Sequence, residues 1–195
     1  MTDGTFERVF IALGIPEETS AALAELKQER PGFRWATENN LHLTLRFIGE
    51  VDLPLKEAII EKLSQIEVEE FILPVEGIGV LPIRGQPQVI YAGVASAHPR
   101  LFQLQHRLEE ALASLGLPLE LKTFFPHITL ARVSRASPMS VREYIKRHRD
   151  FVAPSFKVKN FSLYQTTFTH TGSVYTPKNN FPLYENQRRA EGKAS

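Results

Sequence analysis

The chain contains the motif His-x-Thr-Leu twice, and the two copies lie 85 positions apart. The first is LHLTLRFIGE, with His42 and Thr44, and the second is PHITLAR, with His127 and Thr129. In each copy apolar residues alternate with the histidine and the threonine, a pattern typical of a strand with one face in the core. Each strand is therefore expected to present its histidine and threonine together on a face that is free for chemistry.

Two histidines on facing strands are suited to acid and base catalysis of phosphodiester hydrolysis. One ring takes a proton from the attacking water, and the other gives a proton to the leaving oxygen on the opposite side of phosphorus. An imidazole with a pKa of ~6.5 exists in both protonation states near neutrality, so His42 and His127 are the candidate catalytic residues. The hydroxyls of Thr44 and Thr129 are placed to donate hydrogen bonds to the phosphate oxygens.

A cation near the phosphate would neutralise charge in the transition state, and an arginine follows each motif. Arg46 has the strand parity of His42 and is expected on the same face, with Phe47 on the apolar face. Arg132 lies five positions after His127 and has the opposite parity, so it reaches the site only if the strand bulges or ends. From the residues alone, the choice between the two arginines stays open.

The composition is that of a soluble globular protein. Of the 195 residues, 43% are hydrophobic and 23% are charged, and the formal net charge of +1 predicts no long positive stripe for duplex binding. We expect one two-lobed domain over residues 1–184 and a flexible tail over 185–195. The absence of cysteine, of a signal peptide and of an apolar run near the ~20 residues that span a bilayer predicts a cytoplasmic protein away from membranes.

Apolar runs and their periodicity predict an α+β fold. Strands are predicted at RVFIAL, FRW, LHLTLRFIG, FILPVEGIGVLP, VIYAGVA, KTFFPHITLAR, FKVKNFSLYQT and VYTPKNNFPLY, the last two joined by a hairpin turn at Thr171-Gly172. Helices are predicted at EETSAALAELKQE, PLKEAIIEKLSQI, HPRLFQLQHRLEEALASLG and SPMSVREYIKRHR. Uneven connections and a terminal hairpin favour antiparallel sheets over a doubly wound parallel sheet. Since each half has a helix followed by a His-x-Thr-Leu strand, we expect two related lobes facing across a cleft.

The remaining candidates for chemistry are weaker. Four other histidines, His98, His106, His148 and His170, lie at a helix start, within a solvated helix, in a basic run and in a turn, so we interpret them as structural. Trp35 precedes the first motif strand and could stack on a base if it were exposed, although a place in the core is the more common setting for a tryptophan.

The motifs resemble those of a known family. HLTLRFIGE and HITLAR, with the opening RVFIALGIP and the closing SLYQTTFTHTGSVYTPKNNFPL, are similar to the two-histidine phosphoesterases, and among them to the RNA 2′,3′-cyclic phosphodiesterases once called 2′-5′ RNA ligases. The resemblance covers nearly the whole chain. It implies a bilobal α+β fold with two antiparallel sheets and flanking helices around a central cleft.

The resemblance also implies an activity and a set of residues. Members open a 2′,3′-cyclic phosphate at an RNA end to leave a 2′-phosphate, without a metal or nucleotide cofactor, and some show weak reverse joining through a 2′-5′ bond. By motif position Arg132 helps Thr44 and Thr129 to hold the phosphate, and Arg46 stays a possible contact with the substrate. The implied roles are water activation by His127 and protonation of the 3′ oxygen by His42. The expected partners are RNA ends or small oligonucleotides, bound by a monomer.

Two alternatives to this activity stay open. Another branch of the same superfamily acts on ADP-ribose cyclic phosphate or on 2′-5′ oligonucleotides, and the motifs alone do not separate these substrates. A non-catalytic module that binds RNA ends would be expected to lose one histidine or threonine, whereas all four are present. A metal site is disfavoured, because two histidines on separate strands without a matched acidic ligand do not form a typical one.

Overall fold

Ten strands and four α-helices are described along the chain from Glu7 to Pro182. The computed structural model describes residues 6–94, 98–170 and 172–185. Within them the strands are β1 Glu7–Gly14, β2 Phe33–Trp35, β3 His42–Val51, β4 Phe71–Glu76, β5 Ile78–Leu81, β6 Val89–Gly93, β7 His127–Val133, β8 Val152–Val158, β9 Asn160–Thr169 and β10 Gly172–Pro182. The α-helices are α1 Glu17–Ala24, α2 Leu53–Ser64, α3 Pro99–Ala113 and α4 Pro138–His148, and one 3₁₀ turn, Glu38–Asn40, precedes β3.

Two antiparallel sheets organise these strands, which confirms the predicted α+β class. The larger sheet has the order β10-β9-β1-β3-β7-β6-β5, with β2 added beside the end of β7, and the smaller sheet pairs β4 with β8. Both motif strands, β3 and β7, are neighbours at the centre of the larger sheet. They share one Cα pair, Leu43 with Ile128, so this contact joins the two halves of the sheet.

The core lies between the larger sheet and the helices. Helix α3 contributes four fully buried leucines at helical spacing, Leu101, Leu104, Leu108 and Leu112. Helix α2 contributes Ile59 and Leu63, whereas its Leu55 and Ile60 are only partly buried. Burial of each such side chain stabilises the fold by about 1.5–3 kcal/mol. One continuous cluster of buried side chains contains residues of both halves of the chain.

Helix α1 is shorter than predicted and ends at Ala24. The carbonyl groups that would continue it accept hydrogen bonds from aromatic side chains instead: Tyr144 Oη donates to Leu26, and Trp35 Nε1 donates to Gln28. Because these bonds satisfy the carbonyls outside a helix, the chain can turn away towards β2.

Two predicted strands are each divided between the two sheets. FILPVEGIGVLP breaks at Gly77, whose φ of 75° suits glycine, so β4 joins the smaller sheet and β5 the larger. FKVKNFSLYQT breaks at Lys159 into β8 and β9, which also belong to different sheets. The prediction of one strand was wrong in each case, because alternation with a period of two does not reveal a change of partner.

The hairpin between β9 and β10 is confirmed. Of its predicted turn, Thr171 lies outside the described residues, as does the predicted tail beyond Glu185. None of the helices in the described ranges combines the length and apolar composition that crossing a bilayer requires.

Candidate active site

The two motif histidines begin neighbouring strands, His42 at the start of β3 and His127 at the start of β7. In an antiparallel pair, the register of Leu43 with Ile128 sets His42 level with Thr129 and Thr44 level with His127. These four side chains share the sheet face opposite the buried Leu43 and Ile128. The register therefore brings both predicted histidines and both predicted threonines together, each histidine facing the threonine of the other motif.

Both imidazole rings are oriented by the same kind of hydrogen bond. Nδ1 of His42 lies 2.7 Å from the carbonyl oxygen of Asn40, and Nδ1 of His127 lies 2.8 Å from that of Phe125. A carbonyl oxygen only accepts, so each Nδ1 must carry a hydrogen, which assigns the tautomer of the neutral ring. Nε2 of each ring is thereby left as the atom that can take or give a proton.

Burial and charge repulsion act on His42. Its pKa is lowered, chiefly because burial penalises the charged ring and further because His127 carries like charge, while the bond to Asn40 acts in the opposite direction. Two protonated rings would therefore repel each other across the site. The arrangement therefore favours one neutral and one charged imidazole over two charged ones.

Aromatic side chains surround each histidine. Near His42 lie Phe10 and Tyr175, each with its ring centroid 5.0 Å from the imidazole. Near His127 lie Tyr91 at 5.6 Å and Phe125 at 5.8 Å. The motifs give no sign of Phe10, Tyr91 and Tyr175, because the strands that carry them are distant in the chain, and Phe125, two residues before His127, lies outside the His-x-Thr-Leu pattern.

A bulge follows the threonine in each motif strand and changes which later residues face the site. On β3 the pairing with β1 skips Leu45, and on β7 the pairing with β6 skips Leu130. One extra residue on a strand reverses the parity of those after it. The position five after each histidine, which is Phe47 on β3 and Arg132 on β7, therefore returns to the histidine face.

The bulge on β3 makes the parity prediction for Arg46 wrong. Arg46 Nε lies 2.9 Å from Oε1 of Glu109 on α3, and the guanidinium also donates to the carbonyl of Pro118. Arg46 thus ties β3 to the helical layer, which leaves its predicted substrate contact without support. Phe47 is displaced in the same way from the apolar face to the site face, where its ring lies 5.9 Å from Phe10 and is 64% exposed.

The bulge on β7 meets the condition under which Arg132 can reach the site. Arg132 is exposed, and across the β2–β7 pair it stands directly opposite Arg34, which is also exposed. Neither guanidinium has a carboxylate within ion-pair distance in the part of the chain that the structure describes. Like charges at directly opposite positions repel, so this pair would gain from a bound anion. Arg34 was not among the predicted site residues.

Trp35 does not share the face of the arginines. It pairs with the buried Ala131, packs edge-on against Tyr144 at 5.6 Å and donates its indole hydrogen to the Gln28 carbonyl. Because neighbouring residues of a strand point to opposite faces, Trp35 lies on the side away from Arg34 and Arg132. Its role is packing, and the predicted contact with substrate has no support.

The other four histidines have structural settings. His98 caps α3 by accepting from the backbone of Arg100, and His106 pairs with Glu110 on the surface of the same helix. His148 contacts Gln28 and the Tyr144 ring, and His170 lies in the turn that follows β9. Over residues 6–94, 98–170 and 172–185, no three histidine, aspartate or glutamate side chains are grouped to hold a metal ion.

The paired motifs and the antiparallel sheet that joins them are those of a two-histidine phosphoesterase. A sequence model of the LigT-like phosphoesterases matches residues 13–91 and 93–175, and each segment contains one His-x-Thr-Leu motif. The chain belongs to the LigT-like phosphoesterase family.

Individual relatives are similar over most of their length. The RNA 2′,3′-cyclic phosphodiesterase of Thermotoga maritima is 34% identical over 174 residues, which are 86% of this chain and 91% of the relative. The enzyme of that name from Aeropyrum pernix is 32% identical over 157 residues, 80% of this chain and 86% of the relative. The crystal structure of Escherichia coli LigT complexed with 3′-AMP has a TM-score of 0.77 and 26% identity, covering 93% of this chain and 100% of that one.

Proposed function

We propose that the chain hydrolyses RNA-terminal 2′,3′-cyclic phosphates to 2′-phosphomonoesters, with His42 and His127 as an acid and base pair. The observation that carries the proposal is the matched setting of the two rings, each held through Nδ1 by the carbonyl two residues earlier. The names of the relatives from Thermotoga maritima and Aeropyrum pernix support this substrate class.

The orientation of the rings provides both proton transfers. A neutral ring accepts the proton of the attacking water at Nε2, and a protonated ring donates from Nε2 to the leaving oxygen on the far side of phosphorus. Because the two rings repel as cations, the site disfavours the state with two protons on the pair, and the state that the mechanism needs has one. That state is the one from which hydrolysis can begin.

We propose that His127 activates water and that His42 protonates the departing 3′ oxygen, the order that the family resemblance implies. Burial lowers the pKa of His42 in the free protein. Taken alone, this effect favours a neutral His42, which would then act as the base while His127 acted as the acid. An anionic phosphate between the rings stabilises a protonated imidazole. In the proposed order, His42 therefore takes up its proton as the substrate binds.

Three further residues are proposed to hold the phosphate. The hydroxyls of Thr44 and Thr129 lie on the histidine face and can donate to the equatorial oxygens, where negative charge develops. Arg132 returns to that face through the bulge and carries no ion pair within the described residues, so its guanidinium is available for two parallel bonds to phosphate.

The terminal base is proposed to stack on Phe47. This ring is 64% exposed on the site face and is backed by Phe10, which also contacts the His42 ring. An exposed aromatic face binds bases with little regard to their identity, because every base offers a π-face. The nucleoside whose 3′ oxygen departs would then lie on the His42 side of the phosphate.

We also propose that the protein acts as a cytoplasmic monomer on RNA ends or small oligonucleotides. In support, one chain contributes both motifs and all the residues named above. The formal net charge of +1 favours recognition of a terminal phosphate and one or two nucleotides over binding of a long duplex.

The test is incubation of the purified protein, in EDTA, with a short RNA that ends in a 2′,3′-cyclic phosphate. We expect a 2′-phosphate product, resolved from the 3′-phosphate by chromatography. His42→Ala and His127→Ala should each slow the reaction by about 100-fold to 10,000-fold.

The control is His106→Ala, which removes a surface histidine on α3 and should retain full activity. Turnover that EDTA abolishes would refute the mechanism. Tight binding of the RNA end without turnover would favour a binding module, and turnover of only ADP-ribose cyclic phosphate would favour a different branch of the superfamily.

A further inference from the structure

A second exposed arginine lies beside Arg132 at one end of the site. Arg34 of β2 stands directly opposite Arg132 of β7, and both side chains are exposed. The Cβ atoms of directly opposite residues in an antiparallel pair are about 4.5–5.5 Å apart, so the two guanidinium groups extend from neighbouring points of the sheet. The proposed chemistry at the phosphate uses Arg132 and assigns no task to Arg34.

The arginine pair and Phe47 lie at opposite ends of the histidine site. Since β3 and β7 are antiparallel, β3 runs from His42 towards Phe47, whereas β7 runs from His127 towards Arg132 in the opposite direction. Strand β2 pairs with the last residues of β7, beyond the start of β3. With one residue taken up by the bulge, Arg132 is two strand steps, roughly 7 Å, beyond Thr129. The site face thus has an aromatic end and a cationic end, with the histidines between them.

The reacting phosphate does not need the second arginine. A cyclic phosphodiester offers only its two non-bridging oxygens to the protein. The hydroxyls of Thr44 and Thr129 and the paired donors of Arg132 are already proposed to bind these oxygens. The guanidinium of Arg34 is therefore available for a different phosphate group.

The covalent structure of an RNA end determines where that phosphate group is. In the terminal nucleotide the cyclic phosphate bridges C2′ and C3′ of the ribose, the base is attached at C1′, and the strand continues from C4′ through C5′ to the next phosphate. The base and the 5′ carbon therefore leave the ribose on opposite sides of the edge that carries the cyclic phosphate. With the base on Phe47, as proposed above, the next phosphate is directed towards the cationic end and Arg34.

A groove continues from Arg34 along β2 and the segment that precedes this strand. Its volume is about 500 Å³. Three of its lining residues are cations, Lys27, Arg30 and Arg34, and Glu29 supplies one carboxylate. None of these cations has an ion pair with a carboxylate in the parts of the chain that the structure describes. A local excess of positive charge attracts a phosphate backbone even when the net charge of the whole protein is close to zero.

We propose that Arg34 binds the phosphodiester between the last two nucleotides of the RNA, and that the strand continues over the groove of Lys27 and Arg30. The protein then recognises an RNA end by two consecutive phosphates, the reacting one between the histidines and the next one at Arg34. Contacts to phosphate carry no base information, so they select a strand over a single nucleotide without selecting a sequence. This inference rests on the proposed function and extends it to a preference for oligonucleotide substrates.

The test compares adenosine 2′,3′-cyclic phosphate with the 3′-5′-linked adenosine dinucleotide that ends in a 2′,3′-cyclic phosphate. Only the dinucleotide has the upstream phosphate, so we expect the parent to prefer it by about tenfold in kcat/KM, the effect of one charge-assisted hydrogen bond. Arg34→Ala should remove this preference through a higher KM with kcat unchanged, because the lost contact is the same in the ground state and the transition state. Hydrolysis of the mononucleotide should stay near the parent rate.

A dinucleotide with a neutral methylphosphonate in place of the internal phosphodiester gives a second readout. The parent should lose its preference on this substrate, and Arg34→Ala should be insensitive to the replacement, because both changes remove the same interaction. Arg34→Lys should keep part of the preference, since an ammonium retains the charge without the paired donors. The slope of log kcat/KM against log salt concentration for the dinucleotide should become shallower by about 0.7 in Arg34→Ala.

Arg107→Ala is the matched control. It removes one exposed arginine from the surface of α3, in the helical layer, and should match the parent on both substrates. An equal loss on both substrates in Arg34→Ala would place Arg34 on the reacting phosphate and overturn the inference. So would an active parent without a preference for the dinucleotide, or a methylphosphonate effect that persists in Arg34→Ala. If the parent hydrolysed neither substrate, the proposed function itself would be refuted.

Discussion

The arginines after the two motifs show how one backbone irregularity assigns different tasks to similar residues. Arg46 is four positions after its histidine and forms an ion pair with Glu109, whereas Arg132 is five positions after its histidine and faces the site. The bulge after each threonine produces both outcomes. Proximity in sequence to a motif is therefore a poor guide to which face of the sheet an arginine occupies.

Arg132→Ala should lower kcat/KM for the cyclic phosphate by about 100-fold, as expected when a preorganised donor to the transition state is removed. Arg132→Lys should recover only part of the loss, because an ammonium cannot form two parallel bonds. Steady-state kinetics of both variants would measure this. Unchanged kinetics in Arg132→Ala would contradict the proposed role.

Arg46→Ala should lower the stability of the fold and leave the activity nearly unchanged, in contrast to Arg132→Ala. The ion pair with Glu109 is largely buried, with 10% and 13% of the two side chains exposed, so its loss should destabilise the fold by about 1–3 kcal/mol. The activity of the protein that remains folded should stay near that of the parent. Chemical denaturation and kinetics of the same samples separate the two effects, and a large loss of activity without a loss of stability would return Arg46 to the site.

The acid can be identified with a substrate whose 3′ bridging oxygen is replaced by sulfur. A thiolate leaves without a proton, so a variant that lacks only the acid should lose much less activity on this substrate. We expect His42→Ala to lose about 100-fold or more on the oxygen substrate and far less on the sulfur substrate. His127→Ala should be equally impaired on both. The opposite result would assign water activation to His42, in line with its lowered pKa.

At the scale of elements, the 3₁₀ turn before β3 connects the last hairpin to the first histidine. The side chain of Asn40 donates from Nδ2 to the carbonyl of Ser173 and accepts at Oδ1 from the backbone of Tyr175, both on β10. Its own carbonyl accepts from Nδ1 of His42. Asn40 therefore acts as a positioning residue, since it fixes the carbonyl that orients the imidazole.

Asn40→Ala should lower kcat about tenfold or more with little change in KM, because a displaced catalytic group costs rate even when binding persists. The ¹⁵N shifts of the His42 ring should report mixed tautomers in this variant. Asn39→Ala, an exposed neighbour in the same turn, is the control and should match the parent. A fall in stability with an unchanged kcat would reduce Asn40 to a structural residue.

For the whole molecule, the distance between the histidines depends on how the two halves of the sheet join. Leu43 and Ile128 form the one Cα pair between β3 and β7, and both side chains are fully buried. The contact thus has both a structural and a functional consequence. It contributes to the core and sets the spacing of the two motifs.

Leu43→Ala should destabilise the fold by about 2–5 kcal/mol, the usual cost of a cavity at a buried leucine. Activity per folded molecule should also fall, because a shift between the halves changes the separation of the two rings. Leu104→Ala on α3 is a matched control with a similar loss of stability and no expected effect on the rate of the folded protein. Equal rates per folded molecule in both variants would contradict the proposal that the contact of Leu43 with Ile128 sets the spacing of the two motifs.

The global stability should fall as the pH drops from neutrality towards 5. The pKa of His42 is lower in the folded protein than its usual value of 6.5, so the unfolded chain binds the proton more readily. The stabilisation that arises from this difference in pKa is fully present above pH 6.5, and it is lost as the pH falls through the pKa of His42 in the folded protein. His42→Gln should therefore reduce the pH dependence between 7 and 5, as measured by urea denaturation. His148 shifts in the same direction and remains in both proteins. An identical pH dependence of stability in the parent and in His42→Gln would contradict the lowered pKa of His42.

The sequence alone predicted the chemistry that is proposed for the site. His42, Thr44, His127 and Thr129 could be identified because alternation along a strand separates polar from apolar residues, and this pattern is local. The same local signals predicted most helices, most strands and the antiparallel α+β class.

Only the tertiary structure decided which other residues reach the site. The bulges at Leu45 and Leu130, which move Phe47 and Arg132 to the histidine face, are visible only in the pairing with β1 and β6. The division of two predicted strands between sheets has the same origin, since a strand pattern does not specify its partner. The position of Arg34 opposite Arg132 likewise depends on the pairing of β2 with the end of β7. Local periodicity encodes the face of a residue, and long-range pairing encodes its neighbours.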